Sequence, residues 1–82
     1  NSIGDKTKFS EYRLVDVIDG AIDMAMVERE KVGVDIDASI RINVNYRLYT
    51  TAIKNMIDNG IKYSNDSFVN IVYKDEELCF ES

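Results

Sequence analysis

Three polar residues in one predicted helix have the types and spacing to hold a polyanion. Asn55, Asn59 and Lys62 fall within about 60° of one another at the helical advance of about 100° per residue. They stand roughly 140° from the centre of an apolar arc made of Tyr49, Ala52, Ile53, Met56, Ile57, Gly60 and Ile61, so they form a polar ridge beside the face expected to be buried. Each Asn offers a carbonyl oxygen, a hard ligand that suits magnesium, and an amide that donates to a phosphate oxygen. Lys62 adds a point charge one turn further on, where a phosphate chain would extend. Asn and Lys are also common on solvated helix surfaces, so spacing alone leaves a plain exposed face open. Gly60 adds a second signal. Glycine inside a helix costs about 1 kcal/mol against alanine, which implies close backbone approach there, either to a sheet or to a ligand.

Other chemistries are closed to this chain. It contains no histidine, which removes Ser-His-Asp and Cys-His catalysis, His-ligated metals and any phosphohistidine within these 82 residues. A single cysteine, Cys79, excludes an internal disulfide and a multi-Cys zinc site. Between Leu78 and Phe80 it reads as a structural thiol on a strand. Ten basic against fifteen acidic residues give a net charge of −5, against the basic stripe of a general nucleic-acid binder. Acidity does not oppose nucleotide binding, because one Lys and a metal ion serve a phosphate locally. No apolar run reaches the roughly 20 residues that span a bilayer, and no signal peptide is visible.

The elements that must position the ridge follow from periodicity. Asn1 to Lys6 is an aperiodic lead-in, and Thr7 to Arg13 reads as a short edge strand. Leu14, Val17, Ile18, Ala21 and Ala25 then recur at helical spacing, with Ile22 alongside and Asp16, Asp19, Asp23 and Glu30 opposite. Gly33 is the expected stop. Val34, Ile36, Ala38 and Ile40 alternate with Asp35, Asp37 and Ser39 as a strand with one wet face, and the two acids read as solvated rather than as a metal pair. Ile42 and Val44 continue the alternation until Asn45, a good N-cap. A helix is expected from Tyr46 to Tyr63, a loop at Ser64 to Asp66, and strands at Phe68 to Tyr73 and Leu78 to Glu81 joined through Asp75-Glu76-Glu77. This order predicts an α+β, two-layer sandwich, with a mixed, mostly antiparallel sheet carrying two helices on one face.

The string Asn55-Met56-Ile57-Asp58-Asn59-Gly60-Ile61-Lys62-Tyr63-Ser64 closely resembles the N box of bacterial sensor histidine kinases. Phe9 through Ile22 is similar to the strand-then-helix opening of that family's ATP-binding domain, and Asn45 through Leu48 stands where its N-box helix begins. Asp is frequent in the family at the position of Asn45, and Asn caps a helix equally well. Nearly all of the chain is covered, but only the N box is specific. The resemblance implies that Asn59 ligates the magnesium bridging the ATP phosphates, that Asn55 supports the same metal and phosphate shell, that Lys62 contacts phosphate, and that Tyr63 lines the site near ribose or base. ATP and Mg2+ are the implied cofactors. In the parent protein the partners would be a His-bearing dimerisation domain and a response regulator, and the parent would be an inner-membrane sensor with this part cytoplasmic.

Related ATPases of the gyrase, mismatch-repair and heat-shock-chaperone type place a Glu four residues before the metal-binding Asn, to activate water. Here that position is Asn55, and an amide cannot take a proton from water. The resemblance therefore implies phosphoryl transfer to a nucleophile supplied from elsewhere, with the protein contributing position and charge. The family's glycine boxes, adenine-reading Asp, lid and phosphoacceptor His are not in this sequence. Residues 1–82 are thus expected to be a partial domain without autokinase activity and with weak ATP affinity at best, and its open sheet edge is expected to favour a homo-oligomer. Two other readings stay open: a related protein kinase or ATPase of the same fold, and a non-enzymatic α+β interaction module.

Overall fold

The computed structural model describes residues 8–81; the aperiodic lead-in and the first residue of the predicted edge strand lie outside them. The described elements are β1 (Ser10–Arg13), α1 (Leu14–Ala25), a short 3-10 turn (Arg29–Lys31), β2 (Val32–Asp35), β3 (Arg41–Val44), α2 (Tyr46–Lys62), β4 (Val69–Lys74) and β5 (Glu77–Glu81). The α+β class and the mixed strand pairing follow the expectation. The strands, however, form two hydrogen-bonded sheets rather than one: antiparallel β1–β3, and β2–β4–β5 with β2 parallel and β5 antiparallel to β4.

Helix α1 buries Leu14, Val17, Ile18, Ala21 and Ile22, the stripe that its sequence spacing marks out. The two helices pack on one another, and their seam closes with Ile53 and Ile57 of α2 over Val32, Val69 and Ile71 of the three-stranded sheet. Burial of each such side chain contributes about 1.5–3 kcal/mol. The first amide of α1 is satisfied across the chain, Leu14 N donating to Ile40 O at 2.9 Å.

Two boundaries differ from the sequence reading. Helix α1 stops at Ala25 instead of running toward Gly33. Met26 takes the left-handed conformation (φ 58°) and its N–H donates to Asp23 O. Beyond it, Glu28, Arg29, Glu30 and Lys31 offer no apolar side to bury. Arg29 instead reaches back to the carboxylates of Asp19 and Asp23 on the outer face of α1. Gly33 lies within β2, where a methyl group would overlap the Asn70 carboxamide and crowd the Phe68 ring.

The predicted strand from Val34 to Ile40 is also cut short. Asp37 Oδ1 accepts the Ser39 N–H at 2.8 Å and Asp37 O accepts that of Ile40 at 3.2 Å, so a side chain supplies locally what a strand partner would supply. Ile36 and Ile40 still pack against the core. Val34 and Ala38, expected on the same inward face, are exposed, so the alternation reported burial for only half of that face and extended backbone for only part of it. These bonds from Ser39 hold the Asp37 carboxyl below its ordinary value of 3.8.

Strands β4 and β5 form the expected hairpin. Its turn has two residues, since Lys74 pairs with Glu77, and Asp75 and Glu76 both have positive φ (50° and 63°). That is the geometry of a type I′ turn, which favours Asn-Gly. Cys79 lies half-buried on β5 as a free thiol. Among the described residues no helix is long and apolar enough to cross a membrane.

Left-handed backbone costs an L-residue about 1–2 kcal/mol. Met26→Gly and Glu76→Gly are therefore each expected to stabilise the fold by about 1 kcal/mol, raising the thermal midpoint by roughly 4–8 °C in circular-dichroism melts. A lowered midpoint would show that side-chain contacts outweigh the backbone at that position. The Asp37 turn gives an acid signature. A carboxylate whose folded pKa is lowered contributes stability that is complete above its unfolded value and is lost as pH falls through the folded one. Asp37→Asn keeps the acceptor oxygen but cannot titrate. Its melts should therefore lose less stability than the parent's below about pH 4.

Candidate functional site

Helix α2 positions all four candidate residues. Asn45 caps it, its Oδ1 accepting the Leu48 N–H at 3.0 Å, as its sequence position suggests. The buried residues are Thr50, Ile53 and Ile57. This set corrects the expected arc, because Ala52 is exposed and Met56 is 48% exposed. Thr50 takes the core position instead, 1% exposed. Its hydroxyl donates to Tyr46 O at 2.7 Å, so the polar group goes inside without an unmet bond.

The observed burial rotates the helix relative to the sequence estimate. At about 100° per residue, the centre of the ridge lies about 180° from the mean direction of Thr50, Ile53 and Ile57. Asn55, Asn59, Lys62 and Tyr63 are all exposed, Tyr63 at 75%. Lys62 Nζ sits 5.3 Å from the centroid of the Tyr63 ring, within cation–π range, so two of the four are in contact. Asp58, between the two amides in sequence, pairs with Lys54 at 3.2 Å and leaves the ridge without a carboxylate. At the helix end, Asn59 O accepts the Tyr63 N–H at 3.0 Å, a backbone bond that leaves the Asn59 side chain uncommitted.

The donor set allows a specific judgement on magnesium. Among the described residues no three His, Cys, Asp or Glu side chains gather into a metal site, and the ridge offers two neutral amide oxygens. Magnesium demands a near-octahedral shell of hard oxygens and keeps its waters. The ridge therefore suits a magnesium ion that arrives with phosphate oxygens already bound, and does not suit one held by protein alone.

Gly60 resolves toward packing. A methyl group there would come 2.8 Å from Val69 Cγ2, and Val69 is itself 1% exposed, so the close approach is to the sheet. What the sequence reading missed lies on the same outer side of α2. Leu48 (58% exposed) and Met56, with Ala52 between them, make an apolar row beside the ridge. Two clefts border α2 at its N-terminal half. One is lined by Phe9, Val44, Asn45, Leu48, Tyr49 and Ala52, the other by Lys8, Ser10, Tyr12, Asn45, Tyr46 and Arg47. The ridge residues line neither. The i, i+4 spacing of Leu48, Ala52 and Met56 is visible in the sequence, but only the burial of Thr50 shows that it faces out.

No family model, no curated protein and no solved structure matches this chain.

Forcing a side chain against a packed core costs about 1–3 kcal/mol, whereas alanine's helix propensity returns about 1 kcal/mol. Gly60→Ala is thus expected to lower stability by about 1 kcal/mol net in urea unfolding, although it improves the helix. A stabilised variant would show that Val69 yields easily, and would return the glycine to the ligand-approach reading.

Proposed function

We propose that this chain is ATP-binding sequence of a two-component sensor histidine kinase, in which the ridge on α2 receives Mg-ATP. The observation that carries the reading is the N-box string Asn55 to Ser64 on a capped helix whose Asn55, Asn59 and Lys62 all face solvent on one side. In this reading Asn59 would hold the magnesium of Mg-ATP, Asn55 would support that shell and Lys62 would contact phosphate. Tyr63, already beneath the Lys62 ammonium, borders the ribose or base. When bound, the metal ion neutralises charge on the transferring phosphoryl group. The chain's own residues orient the nucleotide. With an amide at Asn55 they offer no base for water, so the reading is transfer to a histidine. The chain has none of its own, so that residue belongs to another segment or subunit, and a response regulator is the onward acceptor.

One observation favours a second reading, a non-enzymatic interaction module or a self-associating chain. The row Leu48, Ala52 and Met56 presents apolar surface directly beside the ridge. Nucleotide titration separates the two. In the first reading, millimolar Mg-ATP shifts the amide NMR signals of Asn55, Asn59, Lys62 and Tyr63. Chelating the metal weakens the effect, and Asn59→Ala weakens it at least tenfold while leaving the rest of the spectrum in place. If ATP moves none of these signals and sedimentation instead shows dimers that Met56→Lys disperses, the interaction module stands and the kinase reading falls.

A further inference from the structure

The cleft between β1 and the start of α2 is separate from the ridge, and its chemistry is that of an anion site. Arg47 lies 15 residues before Lys62, which at 1.5 Å per residue is roughly 22 Å along the helix. The cleft has a volume of about 350 Å³ and is lined by Lys8, Ser10, Tyr12, Asn45, Tyr46 and Arg47. Among the described residues of the lining two are cations and none is an acid, in a chain with fifteen acidic residues and a net charge of −5.

Most of the other described cations are spent locally, Lys31 and Lys62 excepted. Arg13, Arg29, Arg41, Lys54 and Lys74 each hold a carboxylate. Lys8 and Arg47 have no such partner among the described residues, and they line the same cleft. No acidic residue occupies the first turn of α2 to offset Arg47. The side chain of Asn45 caps Leu48, and the Tyr46 hydroxyl lies against Gly20 of α1, so Tyr46 offers the cleft its ring rather than its hydroxyl. The rings of Tyr12 and Tyr46, 5.2 Å apart between centroids and tilted by 50°, form an aromatic wall.

We infer that this cleft binds a phosphate monoester, with Arg47 and Lys8 on the phosphate and the Tyr12 and Tyr46 rings against the group that carries it. The charges match: a phosphate monoester carries about −1.5 to −2 at neutral pH, against one guanidinium and one ammonium. A guanidinium presents a planar fork that takes two phosphate oxygens at once, which a lysine pair would not. A carboxylate would satisfy only one of the two cations. The aromatic wall distinguishes an ester from inorganic phosphate, because the bare ion leaves the rings uncovered. This inference does not rest on the kinase reading, since it uses none of the ridge residues.

The experiment is an amide NMR titration of the chain with phenyl phosphate, inorganic phosphate, benzoate and phenol at fixed ionic strength. Phenyl phosphate should give saturable shifts at Lys8, Ser10, Tyr12, Tyr46 and Arg47. Inorganic phosphate and benzoate should each bind several-fold more weakly, and phenol should give no saturation. Arg47→Gln and Lys8→Gln should each weaken phenyl phosphate at least tenfold. Both side chains are exposed, so the amide spectrum reports directly that the fold is kept. Lys74→Gln, exposed and outside both sites, should change nothing. Shifts spread equally over Lys31, Lys62 and Lys74 would mean general ionic attraction and would overturn the site, as would an Arg47→Gln variant that binds as tightly as the parent. Shifts confined to Asn55, Asn59 and Lys62 would also overturn it, while leaving the ridge reading intact.

Discussion

The rotation of α2 about its own axis decides which side chains of this molecule meet solvent. Three contacts set it. Ile53 and Ile57 sit in the seam with α1, Thr50 turns inward with its hydroxyl satisfied by the preceding turn, and the backbone at Gly60 lies against Val69. A close-packed interior tolerates little slippage, so these contacts also determine the outer face. Were the helix turned by one residue, Asn55, Asn59 and Lys62 would together swing about 100° and the ridge would no longer lie opposite the core.

The same constraint explains why the outer side of α2 is chemically mixed. Leu48, Ala52 and Met56 follow the i, i+4 rule as faithfully as the core residues do, yet the core is already filled by Thr50, Ile53 and Ile57. A small domain has limited interior to offer, and a threonine with its own hydrogen bonds costs little to bury. The result places apolar surface beside two amides and a lysine, a combination suited to a ligand with both polar and apolar parts.

Charge is arranged around this frame rather than holding it. The ion pairs are at the surface, and exposed pairs contribute about 0–1 kcal/mol each. Their effect is positional. Arg29 draws the 3-10 turn back onto Asp19 and Asp23 of α1, and these bonds, to Asp19 first, push its guanidinium still further toward the charged form. Lys54 holds Asp58 away from the ridge. Among the described cations without a carboxylate partner, Arg47 and Lys62 stand at opposite ends of α2, which separates two patches of positive potential on one helix.

The sequence by itself determined the class of fold, both helices as amphipathic elements, the Asn45 cap, the β4–β5 hairpin and the grouping of Asn55, Asn59 and Lys62. All of these rest on local periodicity or on bonds between near neighbours, which are written in a few adjacent residues. Tertiary structure alone decided the rest. Helix α1 ends at Ala25, before the predicted glycine: Met26 turns left-handed, and Val27 and Val32 reach the core from outside the helix. Asp37 breaks a continuous alternation because its carboxylate captures a neighbouring amide, an outcome that competes with a strand partner the sequence does not identify. Gly60 serves packing because Val69 arrives from a distant strand. Lys8 and Arg47 share a cleft because β1 pairs with β3 and sets Ser10 opposite Val44, next to the start of α2. Spacing describes a face; which face turns inward is settled by what the rest of the chain packs against it.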